Sequence, residues 1–188
     1  SHIFVTHGHG DHLGDTIALA KKHDALVISN AEIAGFLGKC GLRVHGMHIG
    51  GRRTFDFGTV KLTPALHGSA IHTPDGPVDG GNPCGILLTL GEQTLYHAGD
   101  TGLAMDMQLL KEELVDVAFL PIGGNYTMDI ADAVRAVGFI EPKRVVPMHY
   151  NTFEMIQADP EVFSQLVKQQ FPEVQVSILK PGEKLGNY

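Results

Sequence analysis

Two hydrophobic periodicities alternate along the chain. "HIFVT" near the start and "ALVIS" at 25–29 are short β-branched runs that predict strands. Between them, "DHLGDTIALAKKH" places Leu13, Ile17 and Ala20 on one face and predicts a single helix over 11–23. A second helix is predicted from about Asn30, a suitable N-cap, to Gly38. "RTFDFGTVKLTPALH" alternates apolar and polar positions around Gly58 and predicts a hairpin, with Pro64 at an edge or bulge because it has no N–H for a ladder. "HGSAIHTPDGPVDGGNP" is dense in glycine, proline and aspartate and reads as loop throughout. A hairpin "CGILLTL-GEQ-TLYHAGD" follows. Strand "VDVAFLPIG", helix "MDIADAVRAVGFI", strand "RVVPMHY", a helix near Pro160–Gln170 and a strand "VQVSIL" complete the chain. Buried strands flanked by helices make the fold class α/β. With no linker, repeat or low-complexity segment, residues 1–188 are expected to form one domain.

Composition narrows the picture. A net charge of −7 and no basic tail give no support for a nucleic-acid partner. No apolar run reaches the roughly 20 residues that span a bilayer. Cys40 and Cys84 form no C-x-x-C pair, and without a visible signal peptide two reduced thiols in the cytoplasm are expected. A homo-oligomer is compatible with everything read so far. The outlier is histidine, with 11 in 188 residues.

These histidines cluster with aspartates. In "HGHGDH", His7 and His9 are two apart and point the same way if the strand geometry persists. Gly8 and Gly10 remove Cβ atoms where the backbone must turn past an ion. Asp11 and His12 diverge from that pair and suit a second ion. Neither ion would be complete, so further ligands are sought at other strand ends, where open α/β sheets place their sites. His67 ends "VKLTPALH", Asp100 ends "TLYHAGD", and His149 ends "RVVPMH". The expected shell is His7, His9 and His67 on one metal and Asp11, His12 and His149 on the other, with the Asp100 carboxylate bridging. That mixed N/O set suits zinc, manganese, nickel or iron, with zinc the first choice and no thiolate to enforce it.

These residues resemble the metallo-β-lactamase superfamily: "THGHGDH" matches its signature, and His67, "AGDT" and His149 match its later motifs in order. More narrowly, "VHGMHIGG", "LPIGGNYTM" and "VVPMHYNTF" are similar to a bacterial family of metal-dependent hydrolases, UPF0173. The resemblance implies a four-layer αββα sandwich with a dinuclear site between two sheets, and strands ahead of the signature that do not precede Ser1 here. It also implies hydrolysis of an ester, lactone or phosphodiester by a hydroxide shared between two divalent ions, with Asp11 orienting it. The substrate is expected to be a small molecule. Neither the low basic content nor the acidic "HTPDGPVD" loop favours a polynucleotide or a highly anionic compound.

His72, Asn125 and Asn151 are candidate substrate contacts. His97 is expected in the core or behind a ligand, and Cys84 in packing. The alternatives are a di-iron redox protein, disfavoured by His9 where such members commonly carry glutamate, a nuclease or RNA-processing phosphodiesterase, and a binding protein with a degenerate site. Metal content and a visible spectrum separate them.

Overall fold

Strands β1 (His2–Phe4) and β2 (Leu26–Asn30) pair in parallel, and β3 (Val44–Met47) joins the far side of β2. A computed structural model describes residues 1–186 of the chain. Between the first two strands lie α1 (Gly10–Leu13) and α2 (Thr16–His23), and α3 (Ala31–Lys39) follows β2. Asn30 caps α3 as expected, its side chain accepting the Ile33 N–H at 2.8 Å.

A second, mixed sheet has the order β12-β11-β10-β9-β8-β5-β4. Its antiparallel part comprises β4 (Arg52–Phe55), β5 (Gly58–Pro64), β8 (Cys84–Leu90) and β9 (Gln93–His97). Its parallel part continues from β9 through β10 (Val117–Pro121), β11 (Arg144–Met148) and β12 (Gln175–Val176). Helices α4 (Ile130–Ile140) and α5 (Pro160–Gln170) cover its outer face with a 3₁₀ segment, Met105–Glu113.

Adjacent residues on β2 show the layering, because successive side chains leave a strand on opposite faces. Val27 packs with Ala20 of α2 and with Ile33 and Leu37 of α3. Ile28 packs with Val60, Leu62 and Ile86 of the second sheet. On that sheet the alternation repeats: Ile86 faces inward, while Leu87 and Tyr96 join Val137, Ile140 and Phe163 of the outer helices. The result is a four-layer αββα sandwich.

Four local expectations are corrected. The helix predicted over 11–23 is two helices, broken where Gly14 takes φ 41° and ψ −130°, although Leu13 and Ile17 still face the same cluster. The long loop after His67 contains a small hairpin, β6 (Ile71–Thr73) with β7 (Gly76–Val78). Pro64 sits at the end of an interior strand, opposite Cys84, where β4 no longer reaches. The last strand is short. The Gln175 and Ser177 N–H groups donate to Lys143 and Val145, so the next β11 residue facing β12 is Pro147, which has no N–H to continue the ladder.

Candidate metal centre

The signature turn begins where β1 ends. Val5 N–H still donates to Ile28, and Ser29 Oγ donates to the Val5 carbonyl, so the chain leaves the sheet in a fixed direction. The Thr6 carbonyl accepts from both the N–H (2.9 Å) and the thiol (3.3 Å) of Cys84, tying this turn to the start of β8. Gly8 then passes so close to the next segment that a Cβ would stand 2.5 Å from the Ser69 carbonyl oxygen and 2.7 Å from Ile71. Gly10 differs from the expectation: a Cβ there would meet nothing within 4 Å.

The other side chains arrive from strand ends. His67 follows β5, Asp100 follows β9 through Gly99 in the left-handed region (φ 64°), and His149 follows β11 with its own φ at 55°. Among the described residues, all seven side chains sought in the sequence fall into two groups of converging donors. His7, His9 and His67 form one, and Asp11, His12, Asp100 and His149 form the other. Donor atoms within each group lie within 4.8 Å of one another.

Their spacing can be compared with what an ion requires. Two nitrogens about 2.0–2.1 Å from one tetrahedral cation stand roughly 3.3 Å apart. His67 Nε2 lies 3.2 Å from His9 Nδ1, and His12 Nε2 lies 3.4 Å from Asp11 Oδ2. His149 Nε2 lies 3.5 Å from Asp11 Oδ2. Asp100 stands between the groups. Its Oδ2 is 3.8 Å from His7 Nε2, 3.5 Å from His67 Nε2 and 3.2 Å from His149 Nε2, and its Oδ1 is 3.2 Å from His12 Nε2. His7 Nε2 is buried without a hydrogen-bond partner. Such an atom is costly unless something else satisfies it. The donor set, the spacing and this unpaired nitrogen all fit divalent cations.

Protonation states agree. Burial, reinforced by the neighbouring His12, pushes His7 down to about 3, so its ring is neutral at physiological pH. Burial likewise lowers His67, whose ring also hydrogen-bonds to the Tyr126 backbone. Burial opposes ionisation of Asp100, but its hydrogen bond and charge contact with His12 outweigh that and hold it below the usual carboxylate range. The same contact raises His12 against its own burial. Thr6 Oγ1 lies 3.0 Å from His7 Nδ1 and fixes the ring with Nε2 toward Asp100.

The remaining expectations divide. His97 packs behind Asp100: its Nδ1 accepts the Gly99 N–H at 3.1 Å, one residue before Asp100, and its ring stacks on Phe119. Cys84 is buried, its thiol pushed up to about 12 by desolvation, which removes it as a nucleophile. The two arginines after Gly51 are both engaged elsewhere, Arg52 bonded to Glu113 and Arg53 over the Phe55 ring. Of the candidate substrate contacts, His72 lies exposed on β6 opposite Pro77, and Asn125 lies exposed with φ 53°. The Asn151 carboxamide accepts the Ala158 N–H at 2.8 Å and shapes its loop. None of the three lines the cavity of about 220 Å³ over the converging donors, whose walls are His9, Asp11, His67, Asp100, Tyr126, His149 and Phe153. Tyr126 and Phe153 escaped the sequence reading. Their signal is an aromatic residue in a loop just past a strand end.

The family model for the beta-lactamase superfamily domain matches residues 1–150. A UPF0173 metal-dependent hydrolase of Alkaliphilus metalliredigens is 61% identical over 168 residues, covering 89% of this chain and 75% of the relative. The chain belongs to the UPF0173 metal-dependent hydrolases. A second family member, from Lysinibacillus sphaericus, is 52% identical over 98% of this chain and 80% of its own length. Among solved structures, a novel metallo hydrolase from the archaeon Ignicoccus hospitalis superposes with a TM-score of 0.89 at 39% identity, covering 97% of this chain and 77% of that one. A UPF0173 hydrolase with these donors is a metal-dependent enzyme. Among the described residues no helix is long and apolar enough to cross a membrane.

Proposed function

We propose that this hydrolase holds two divalent cations, zinc by first preference, and cleaves a small ester or lactone. One observation carries the reading: Asp100 Oδ2 lies within 3.8 Å of His7 and His67 from one group and of His149 from the other, as a shared ligand would. When bound, a pair of divalent cations supplies ionised water near neutral pH and a Lewis acid for the substrate oxygen. The protein's part is to hold donors ready. His7 and His67 offer neutral nitrogens, and Asp100 stays ionised.

Asp11 is the proposed catalytic group. Its side chain is about half exposed, faces the cavity and lies between His12 and His149, where it orients the attacking water and accepts its proton. The water oxygen bonds to the acyl carbon, the acyl C–O bond breaks, and an alcohol and a carboxylate leave with one proton released. Since no lysine or arginine lines the cavity, phosphodiesters and polynucleotides rank below carboxylic esters.

The test is metal-replete expression, elemental analysis, and a screen of ester, lactone and phosphodiester probes with zinc, manganese and nickel. About two equivalents of metal per chain are expected, with ester or lactone turnover that a chelator abolishes. A chain that retains no metal, or that turns over no probe when loaded, contradicts the proposal.

A further inference from the structure

Tyr126 and Phe153 stand apart from every other aromatic ring. Their exposures are 51% and 44%, whereas every other Phe and Tyr among the described residues is buried or half-buried. Both line the cavity over the metal ligands. Their ring centroids are 6.4 Å apart, within contact range for aromatic pairs, so they form one continuous apolar wall. That wall runs into the centre itself, since the Phe153 ring meets the His149 ring edge-on with centroids 6.5 Å apart.

The backbone under both rings is built. Tyr126 follows Asn125 in the left-handed region, its N–H donates to Gly124 at 2.6 Å, and its backbone is hydrogen-bonded by the His67 ring. Phe153 rides on a loop closed by Asn151, whose φ is 60°, whose N–H donates to Ile156 and whose side chain accepts from Ala158. Left-handed conformations at non-glycine residues persist where surrounding contacts enforce them, often beside functional sites. Here two such turns set exposed rings beside the metal ligands. The remaining walls are imidazoles and two carboxylates, with no cationic side chain for an anionic tail.

We propose that this wall binds a flat apolar ring of the substrate, so that the ester or lactone cleaved here carries an aromatic group next to its acyl carbon. The inference rests on the hydrolase reading above and adds the substrate's chemical class. A planar ring stacks on the wall, whereas a saturated ring of similar size meets it through hydrogens and gains less.

Three methyl esters with one leaving group test this on the zinc-loaded full chain: methyl phenylacetate, methyl cyclohexylacetate and methyl propionate. Wild type is expected to favour the phenyl over the cyclohexyl ester roughly two- to tenfold in kcat/KM, carried mainly by KM. Phe153→Ala and Tyr126→Ala should each bring that ratio toward one while metal content stays as in wild type. Phe153→Leu, which keeps bulk but not flatness, should do the same. A wild-type ratio of one or less, or a ratio unchanged in every variant, overturns the proposal. Unchanged selectivity with an altered sedimentation coefficient would make the wall an interface between copies instead. If no ester is cleaved, the hydrolase reading fails separately, and saturation-transfer NMR with the uncleaved methyl phenylacetate decides: transfer lost in Phe153→Ala supports the wall, and none in wild type overturns it.

Discussion

Oδ2 of Asp100 lies 3.2 Å from Nε2 of His149, and the same oxygen reaches toward His7 and His67 on the opposite side. One carboxylate therefore connects donors that follow the first and last strands that build the centre. Asp100→Asn keeps the shape and removes the charge. Metal content is expected to fall to half or less, and turnover by more than about 100-fold, exceeding the 10–100-fold typical of an outer partner's loss. Elemental analysis and probe hydrolysis check both. Wild-type metal content and activity in the variant would contradict a shared ligand.

Thr6 gives a subtler test, because it touches His7, one of the proposed ligands, and would not itself touch an ion. Its hydroxyl is 3.0 Å from His7 Nδ1, and the residue is buried. Thr6→Val replaces the hydroxyl with a methyl of similar size. Stability should change by about 1 kcal/mol. Metal affinity should drop about 10–100-fold as His7 loses the partner that fixes its ring. Chelator competition measures the second and urea denaturation the first. A large loss of stability with unchanged affinity would make Thr6 a packing residue only.

How far the sequence speaks depends on whether the deciding interaction is local. The converging donors were legible because His7 to His12 form one dense turn after the first strand, while His67, Asp100 and His149 each follow a strand that its own apolar run announces, as His149 does after "RVVPM". Asn30 was legible as a cap for the same reason. The break at Gly14 was not: the apolar stripe Leu13–Ile17–Ala20 runs through it, and only the observed φ and ψ separate α1 from α2. The end of β12 is set by Pro147, 29 positions before Val176, a relation that exists only once the strands are in register. Tyr126 and Phe153 were missed because exposure is a property of the assembled surface, not of the residue.

Acid should destabilise the protein in a window set partly by His97. Burial, with the His12 ring adding to it, pushes His97 down to about 4 from 6.5. As pH falls through 6.5 the unfolded chain takes up a proton that the folded chain refuses. The contribution of His97 is therefore complete above 6.5 and is lost progressively between 6.5 and about 4. His97→Asn removes the titrating ring and retains an acceptor for the Gly99 N–H. With chelator present, its stability should fall less steeply with acid over that window, by at most about 1.4 kcal/mol per pH unit. His7, held lower still, leaves a residual slope in both proteins. Identical slopes in urea midpoints against pH would show that His97 carries its proton in the fold.

Gly8 and Gly10 look alike in "HGHGDH", and the structure makes them opposite. A Cβ at Gly8 would collide with the Ser69 backbone at 2.5 Å, and the Ser69 hydroxyl also accepts the Gly8 N–H at 3.1 Å. Because the colliding atom is backbone, no side-chain rotation relieves it. Gly8→Ala is expected to destabilise by about 1–3 kcal/mol and to displace His7 and His9 on either side. Gly10 opens α1, lacks a positive φ and faces open space. Gly10→Ala should be neutral, or stabilising by up to about 1 kcal/mol through helix propensity. Urea midpoints and metal content of the matched pair decide. If both substitutions were harmless, the close approach of the 67–71 segment to the signature turn would not exist in solution, and His67 would lose the contact that brings it to His9.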